Sequence, residues 1–571
     1  MKPLLTKEKI EEIRDNPDFA RLFADMRAYA EAAAEKEEPV LPYSLFSLFE
    51  KTGDRALFEE RYFERRRRFC AFAILYLVDR DEKWKSALED CIFEICCEAT
   101  WALPAHISGY PAEEYGVCID LFSSETGEMI AELLNMVRDE LSPRVVLTAE
   151  REIRRRIITP FLQYGAEHYW WHKADNNWAA VCACGVGSCF LHLGTKEEID
   201  RFLEELPPIL ESFLHSFDPD GCCLEGYSYW VYGFGRYVYL ADLLLDYSGG
   251  KIDIMKQYEK VRHIADFPNH VFVGDTEVLT FSDGVRGAYA VRGISAYLHK
   301  VFPEIPMPAK ALYDPSGFGR EFVATVRDLA WFDGRKVPEK RTHEPLFVYK
   351  HAQWYIRHTD AFCLVAKGGC NAEPHNHNDV GNFLLLKGNT RLFDDFGAGR
   401  YTRQYFAPGE RYTIFVNSSR GHSVPIINGH LQNIGVDHAA ELLYYDENVC
   451  AFELSKVYDD PTLTGLVRRF DILPDGIRLT DTFDFEKAPE ALTERFITRI
   501  QPEKCDGGVR VENGTFTADF ACDVILSVEN VLPHSVLNGD PNATVPVYVV
   551  DFVPKKTAKH IALSFTAKIE E

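Results

Sequence analysis

The apolar residues of this chain change their period near the middle, and that change constrains the fold more than any other feature. Up to about residue 330 they recur at helical spacing, as in residues 199–206, which follow the capping-box sequence of residues 195–198. From about residue 346 they alternate with polar residues, as in residues 477–485. The pattern predicts an all-α domain of packed helical hairpins followed by an antiparallel β-sandwich domain.

The length supports this division, because 571 residues exceed what one hydrophobic core usually organises. The segment 334–345 is rich in charged residues, contains two prolines and has the composition of a linker. We therefore expect a helical domain in residues 1–335 and an antiparallel β-sheet domain in residues 336–571.

Composition excludes some classes of partner. The 63 Lys and Arg residues against 88 Asp and Glu residues give a formal net charge of −25, which disfavours nucleic acid. The chain begins with charged residues rather than a signal peptide, and its longest apolar run, residues 69–78, is shorter than the roughly 20 residues that span a bilayer. The fifteen cysteines lack paired zinc-site spacing, which favours reduced, mostly buried thiols. We expect a cytoplasmic protein with no membrane partner; a homo-oligomer is left open.

Residues 371–381 contain two histidines and an aspartate at alternating positions, His375, His377 and Asp379. If the strand that follows begins by His375, the three side chains point to one face of the sheet. Two imidazoles and a carboxylate on one face are typical of a metal half-site, or of a general base beside a metal. A single histidine is more often a hydrogen-bonded residue, whereas the alternating trio favours a site.

Two further polar segments follow in the predicted β domain. Asp394 and Asp395 end a strand ahead of a glycine-rich turn, where adjacent aspartates also commonly cap a turn. His422 lies among polar residues just before an apolar strand. Together His377, Asp395 and His422 offer two nitrogens and one oxygen, a donor set suited to zinc or manganese.

The helical half carries two aromatic-rich segments. Residues 170–178 contain Asn176 and Asn177 next to Trp178, and residues 225–235 contain Glu225 and several tyrosines. Aromatic planes with polar neighbours are typical of a sugar-binding groove, and a buried aromatic core is the alternative. The density of polar residues beside the rings favours a cleft.

In order and spacing, these motifs resemble those of the heparinase II/III-like polysaccharide lyases over roughly residues 95–435. The resemblance rests on Asn-Asn-Trp at 176–178, the Glu-Gly segment with Tyr-Trp at 225–230, His-x-His-x-Asp at 375–379 and Asp-x-Gly-x-Gly at 395–399. It implies an N-terminal (α/α) toroid followed by antiparallel β-sheets, with the active cleft between the domains. It also implies cleavage of uronic-acid glycans by β-elimination, leaving a 4,5-unsaturated uronate.

The resemblance also implies roles for individual residues. Asn177, Tyr229 and His375 are the expected catalytic residues. His377, Asp395 and His422 are the expected ligands of one structural zinc or manganese ion. Asn176, Trp178, Glu225, Tyr232 and Arg411 are the expected substrate-binding residues. Tyr227 or Tyr232 could replace Tyr229 as the catalytic tyrosine, the preferred C5 epimer is open, and Asp379 receives no role.

An acidic glycan is compatible with the acidic composition, because five arginines between residues 391 and 420 make this region locally basic. The expected partner is therefore an acidic polysaccharide or oligosaccharide, such as a fragment of hyaluronan, chondroitin or heparan sulfate. Three other classes remain open: a metal-dependent hydrolase, a glycoside hydrolase with two carboxylates, and a non-catalytic carbohydrate-binding protein.

Overall fold

The computed structural model describes residues 1–107, 110–111, 114–274, 276–407, 409–535, 540 and 542–570. The chain forms two compact units. The first unit comprises Met1–Ser216, Trp230–Ala265 and Tyr289–Lys340, and the second comprises Phe217–Tyr229, Asp266–Ala288 and Arg341–Glu571. Two segments that precede the expected boundary at residue 335 therefore belong to the second unit.

Most helices lie in the first 331 residues. In chain order they are α1 Lys7–Arg14, α2 Ala20–Ala34, α3 Tyr43–Phe46, α4 Leu48–Thr52, α5 Ala56–Asp79, α6 Glu82–Cys96, α7 Pro104–Ile107, α8 Leu121–Val137, α9 Pro143–Ile153, α10 Thr159–Tyr164, α11 Asn177–Leu193, α12 Lys196–His215, α13 Tyr227–Tyr229, α14 Gly235–Tyr247, α15 Ile254–Gln257, α16 Glu259–Val271, α17 Arg292–Val301, α18 Phe322–Trp331 and α19 Arg403–Phe406.

Consecutive helices of the first unit pack as hairpins, for example α5 with α6 and α11 with α12. The predicted capping box begins α12: the Thr195 hydroxyl accepts from the Glu198 amide, and the Glu198 carboxylate accepts from the Thr195 amide. Helix α11 is buried almost throughout and packs against α8, α12 and α14. A Cβ at Gly185 would lie 2.6 Å from the backbone carbonyl of Ser124 on α8, so only glycine permits this approach.

The strands begin at residue 346. They are β1 Leu346–Tyr349, β2 Trp354–His358, β3 Cys363–Lys367, β4 Cys370–Asn371, β5 Phe383–Lys387, β6 Thr390–Phe393, β7 Pro425–Ile427, β8 Gly435–Ala439, β9 Glu441–Tyr445, β10 Val449–Glu453, β11 Leu463–Leu473, β12 Gly476–Phe485, β13 Leu492–Thr498, β14 Glu503–Cys505, β15 Gly508–Val511, β16 Gly514–Ala518, β17 Cys522–Val531, β18 Val545–Pro554 and β19 His560–Ile569.

These strands form four antiparallel sheets in the second unit. A five-stranded sheet has the order β1-β2-β3-β5-β6, and an eight-stranded sheet has the order β14-β15-β16-β19-β12-β11-β10-β9. A four-stranded sheet, β17-β18-β13-β7, and the pair β4-β8 complete the set. Phe383, Phe496 and Phe565, from the five-, four- and eight-stranded sheets respectively, lie in one hydrophobic core. The predicted fold class, helices followed by antiparallel sheets, is confirmed.

Strand β12 shows how local sequence produces this core. Its apolar residues 477, 479, 483 and 485 are buried, while Arg478, Thr480 and Thr482 are at least partly exposed. Asp481 shares the buried parity and forms an ion pair with Arg468 of β11, at 2.6 Å. The predicted alternation is therefore confirmed.

All fifteen cysteines are free thiols, and most of them are buried. Within the described part of the chain, none of the helices combines the length and the hydrophobicity that crossing a bilayer requires.

Candidate active site

The loop that carries His375 and His377 joins β4 to β5 and is built of turns. The condition for a shared face, a strand that begins by His375, is not met: His375 has a φ of 54°, in the left-handed region, which interrupts extended backbone, and the strand begins at Phe383. Strand alternation therefore does not apply to these three side chains. Asp379 accepts a hydrogen bond of 2.7 Å from the buried Lys367 ammonium, so its carboxylate is held in a buried ion pair.

The centre of the site is the carboxylate of Asp283, a residue that none of the sequence motifs contains. It is 1% exposed and lies in a turn between Ser282, whose φ is 59°, and Gly284. Its oxygen Oδ2 accepts hydrogen bonds from His375 Nδ1 at 2.5 Å and from the Tyr401 hydroxyl at 3.0 Å.

The second oxygen of Asp283, Oδ1, accepts from His377 Nε2 at 3.0 Å, from Arg411 at 3.2 Å and from the Tyr405 hydroxyl. Burial alone would raise the pKa of Asp283, but the hydrogen bonds from His375 and His377 and the charge of Arg411 lower it well below its ordinary value. The carboxylate is therefore ionised and acts only as an acceptor.

The glycine-rich segment that begins at Asp395 holds this turn in place through two hydrogen bonds. The Thr280 hydroxyl donates to the Asp395 carbonyl at 2.8 Å, and the Ala398 amide donates to the Gly284 carbonyl at 3.1 Å. Gly397 has a φ of 72°, and a Cβ there would lie 2.0 Å from the Gly284 carbonyl oxygen, so this position requires glycine. The glycine-rich turn after Asp395 thus fixes the position of Asp283.

Tyr229 ends helix α13 and is the tyrosine that joins this cluster. Its hydroxyl lies 2.6 Å from the Tyr401 hydroxyl, and its ring lies 4.4 Å from the His375 ring, measured between centroids. Burial, followed by the charge of Asp283, raises the pKa of Tyr229 well above its ordinary value. At neutral pH the side chain is a phenol with a proton to donate.

The other two tyrosines of this segment lie elsewhere. Tyr227 is buried, with its ring centroid 4.8 Å from that of Phe272. Tyr232 belongs to the first unit, where burial and the charge of Glu125 raise its pKa well above its ordinary value. Of the three candidates, only Tyr229 lies beside His375.

His375 makes polar contacts through both ring nitrogens. Nδ1 donates to Asp283, and Nε2 lies 3.4 Å from the buried Glu225 carboxylate. Burial would lower the pKa of His375, but the hydrogen bond and charge of Asp283 outweigh it and raise the pKa. The structure therefore places the expected substrate-binding residue Glu225 beside the expected catalytic histidine.

Arg411 holds the His375 loop. Its guanidinium donates to the His375 carbonyl at 3.0 Å and to the Asn376 carbonyl at 3.1 Å, besides Asp283. A further bond of 3.2 Å reaches the Tyr405 carbonyl. Most of its donors are therefore used within the protein.

In the first unit the two asparagines before α11 have different surroundings. Asn176 is the N-cap, and its side chain accepts from the Trp178 amide at 3.0 Å. Asn177 is buried, and its side-chain amide has no hydrogen-bond partner among the described residues. The ring of Trp178 lies between those of His106 and Trp170, at 4.8 and 4.7 Å, and Trp170 is 49% exposed.

His377, Asp395 and His422 lie together, with one donor atom from each within 4.8 Å of the others. All three residues are fully buried. His422 Nδ1 lies 3.2 Å from Asp395 Oδ2, while His422 Nε2 bonds to the Val416 carbonyl at 2.8 Å. Asn382 and the Gly397 amide each donate to the Asp395 carboxylate at 2.8 Å.

The hydrogen bonds of the two histidines fit a metal site. His377 Nε2 donates to Asp283, and its Nδ1 is buried without a partner. His422 uses Nε2 for a carbonyl, which leaves Nδ1 as its second donor atom. Burial lowers the pKa of His377 and keeps it in the neutral form that ligates metals. A carboxylate or carbonyl behind each imidazole is the usual support of a metal ligand.

No family model matches the sequence, and no curated protein matches it. Solved structures do. Heparinase III aligns with a TM-score of 0.63 and 16% identity, over 89% of this chain and 76% of that one. A mutant of the heparan sulfate lyase HepC from Pedobacter heparinus aligns with a TM-score of 0.60 and 14% identity, over 90% of this chain and 77% of that one.

This chain has the heparinase III fold. The chondroitin AC lyase of Streptomyces coelicolor, solved with chondroitin sulphate, aligns over 96% of this chain and 79% of its own, at a TM-score of 0.51 and 10% identity. At these identities the likeness establishes the architecture, and it confirms the resemblance drawn from the motifs at the level of the fold.

Sequence reasoning missed three residues of the cluster: Asp283, Tyr401 and Tyr405. Asp283 occurs in Phe-Ser-Asp-Gly, an ordinary turn sequence. The two tyrosines follow Gly399 at a spacing of four, within the segment already noted for its arginines. Their position a few residues after the Asp-x-Gly-x-Gly turn was the one available signal.

Proposed function

We propose that this protein is a polysaccharide lyase that cleaves uronic-acid-containing glycans by β-elimination. The observation that carries the proposal is the phenol of Tyr229, which lies against His375 and is connected to it through Tyr401 and Asp283. This arrangement lies in a chain with the heparinase III fold.

The reaction breaks the C5–H bond of the uronate and uses its electron pair to form the C4–C5 double bond. The C4–O4 bond breaks, and O4 leaves with its electron pair and takes up a proton. Tyr229 supplies that proton. Where the sugar places both atoms on one face, Tyr229 acts first as a phenolate that takes the C5 proton and then passes this same proton to O4. General acid–base assistance of this kind contributes about 10²–10⁴ in rate.

The C5 proton becomes acidic enough only when the neighbouring carboxylate is neutralised. Asn177 has the amide for this role, whereas Asn176 is used as a helix cap. Asp283 raises the pKa of His375 and so favours its protonated form, whose positive charge would stabilise the enolate-like transition state. For the opposite C5 epimer, neutral His375 would be the base.

We also propose that His377, Asp395 and His422 hold one divalent metal ion, zinc or manganese. Because the three residues are fully buried, a glycan would not reach the ion, and the fourth position that three protein ligands leave would be taken by a small ligand such as water. The chemistry it supplies is structural: it ties together the segments that carry His375, the glycine-rich turn and β7.

The substrate class follows from the chemistry and from the neighbours. Two of the similar structures are named for heparan sulfate and for chondroitin. Both neighbours suggest glycosaminoglycans, as polymers or oligosaccharides, as the first substrates to test. Within the cluster, Arg411 and His375 lie against the carboxylates of Asp283 and Glu225, so the choice of substrates rests on the chemistry and the neighbours rather than on a local excess of positive charge.

One assay separates the lyase from its alternatives. The protein is incubated with hyaluronan, chondroitin sulfate, heparan sulfate and alginate, and two signals are followed: ultraviolet absorbance of the unsaturated uronate, and new reducing ends. A lyase gives both signals. Reducing ends without absorbance would mean a hydrolase, and neither signal on any of these glycans would favour a binding protein.

Matched tyrosine variants test the assignment within the same assay. Tyr229→Phe removes only the hydroxyl beside His375 and is expected to lower kcat by at least about 10²-fold. Tyr227→Phe, whose ring packs on Phe272, is expected to stay within a few-fold of the wild type. Equal losses in both variants would contradict the assignment of Tyr229.

A further inference from the structure

The hydroxyl of Tyr401 connects two residues of the site, Asp283 and Tyr229. Its hydroxyl lies 3.0 Å from Asp283 Oδ2 and 2.6 Å from the Tyr229 hydroxyl. Tyr405 is its natural comparison: its hydroxyl also donates to Asp283, but no contact joins it to Tyr229 within the described chain.

The donor and acceptor inventory fixes the direction of these bonds. Both oxygens of Asp283 are surrounded by donors, including the guanidinium of Arg411, so Tyr401 donates its one hydrogen to Oδ2. The Tyr401 oxygen must then accept from Tyr229 across the 2.6 Å contact. In the resting enzyme the Tyr229 hydrogen therefore points at Tyr401, and the lone pairs of Tyr229 point elsewhere.

We propose that Tyr401 is a positioning residue of the reaction, which turns its one hydrogen from Asp283 to Tyr229 whenever Tyr229 becomes a phenolate. The inference rests on the proposed lyase function. Tyr229 passes its proton to O4 and is then an anion, and the Tyr401 hydroxyl is the neighbouring donor that can stabilise it. The proton count is unchanged, because only the direction of one O–H bond changes.

The switch costs little at Asp283. When the Tyr401 hydrogen turns away, the carboxylate keeps its bonds from His375, His377, Tyr405 and Arg411. A carboxylate with that many donors remains stabilised after losing one. Tyr229 gains more than Asp283 loses, because it has no other hydrogen-bond donor among the described residues.

The experiment compares Tyr401→Phe with Tyr405→Phe, since each removes one hydroxyl from Asp283 and only the first removes the partner of Tyr229. On a substrate that the wild type cleaves, Tyr401→Phe should lower kcat about tenfold to a hundredfold with KM nearly unchanged. Its kcat–pH profile should shift toward alkaline pH. Tyr405→Phe removes a donor from Asp283 only, so it should lower kcat less than Tyr401→Phe does and leave the profile in place.

A second readout does not require activity. 3-Fluorotyrosine is placed at position 229 alone, and its ionisation is followed by ¹⁹F NMR in the wild type and in both variants. The groups that face Tyr229 and set this ionisation, besides Tyr401, are His375, Glu225, Asp283 and Arg411. Tyr401→Phe should move the ionisation to higher pH, and Tyr405→Phe should not.

The kinetic and NMR measurements distinguish failure of this inference from failure of the proposed lyase function. A wild type without lyase activity on any glycan would reject the proposed function, and the NMR titration would still decide whether Tyr401 stabilises the phenolate. The inference is wrong if the titration of position 229 is the same with and without the Tyr401 hydroxyl. It is also wrong if both variants lose activity equally, since Tyr401 would then act only through Asp283.

Discussion

Replacing Asp283 by asparagine tests the centre of the site, because it keeps the shape of the side chain and removes its charge. The carboxylate accepts three donors on Oδ1 and two on Oδ2. An amide has one acceptor oxygen, which is expected to face the three donors. Its NH₂ group then faces His375 and Tyr401, where the wild type has an acceptor.

The expected loss of stability follows from the two hydrogen bonds that His375 and Tyr401 can no longer donate. Hydrogen bonds to a charged group contribute about 1.5–3 kcal/mol each, so the gross loss is about 3–6 kcal/mol. Part of it is recovered, because Tyr401 can turn to accept and His375 can release its proton and accept at Nδ1. We expect Asp283→Asn to lower the free energy of unfolding by about 2–4 kcal/mol.

The loss of stability is measured by denaturant unfolding and by hydrogen exchange of the peptide that covers residues 278–288. The local measurement is needed because a chain of two compact units need not unfold in one step. Asp481→Asn is the matched control. It removes another fully buried carboxylate, the ion-pair partner of Arg468, and should be similarly destabilising. Only Asp283→Asn should also lower kcat, and it should weaken metal binding about 10- to 100-fold through His377.

A loss of less than about 1 kcal/mol in Asp283→Asn would refute this reasoning, since the five donors would then be satisfied without the charge. Equal losses of kcat in the two variants would also refute it. That result would mean that activity follows global stability rather than the state of Asp283.

Three further predictions concern the metal, a buried carboxyl group and the helix cap. His377→Ala should lose both the bound metal, measured by mass spectrometry of the purified protein, and thermal stability. His375→Ala should keep the metal and lose activity. Metal retained in His377→Ala would exclude the proposed ligand set. Burial and the charge of Asp481 raise the pKa of Glu494 well above its ordinary value. A raised carboxyl pKa contributes stability that is present below the unfolded-state value of about 4.3 and is lost as pH rises through the folded-state pKa. Glu494→Gln should therefore match the wild type near about pH 4 and become progressively more stable than it in denaturant titrations toward about pH 8; a constant difference would contradict the shift. Asn176→Ala should destabilise α11 by about 1 kcal/mol, measured by hydrogen exchange of the helix, with little change in kcat. Asn177→Ala should lower kcat in the lyase assay with little change in the stability of α11. If Asn176→Ala lowers kcat and Asn177→Ala destabilises the helix, the two roles are exchanged.

The parts of the fold that sequence predicted are those encoded by neighbours in the chain. The capping box at Thr195 and the alternation of β12 depend on residues a few positions apart, so their periods can be read directly. The grouping of His377, Asp395 and His422 was also predicted, through the family resemblance, and the structure brings them together. Whether they bind metal stays a prediction.

The Asp283 cluster could not be predicted in the same way. Asp283 bonds to His375 across 92 positions and to Tyr401 across 118. No period or motif encodes such contacts, which arise only when residues 266–288 join the second unit. The condition of a strand at His375 is not met for a related reason: Arg411 binds the carbonyls of residues 375 and 376, His375 has left-handed backbone, and its imidazole bonds to Asp283.

For Arg411, the role predicted from sequence and the contacts in the structure predict different kinetic effects of a substitution. The sequence reading makes it a substrate-binding residue, whose loss raises KM. The geometry makes it a clamp on the His375 loop, since its fork binds two carbonyls and Asp283. Arg411→Lys keeps the charge but cannot reproduce the fork. We expect it to lower kcat and to destabilise the protein by about 2–3 kcal/mol, with KM nearly unchanged. Arg420→Lys, in the same segment and bonded to the Thr413 carbonyl, is the control and should change neither. A large rise in KM at unchanged kcat in Arg411→Lys would mean that its guanidinium contacts the uronate, and the clamp would then be secondary to recognition.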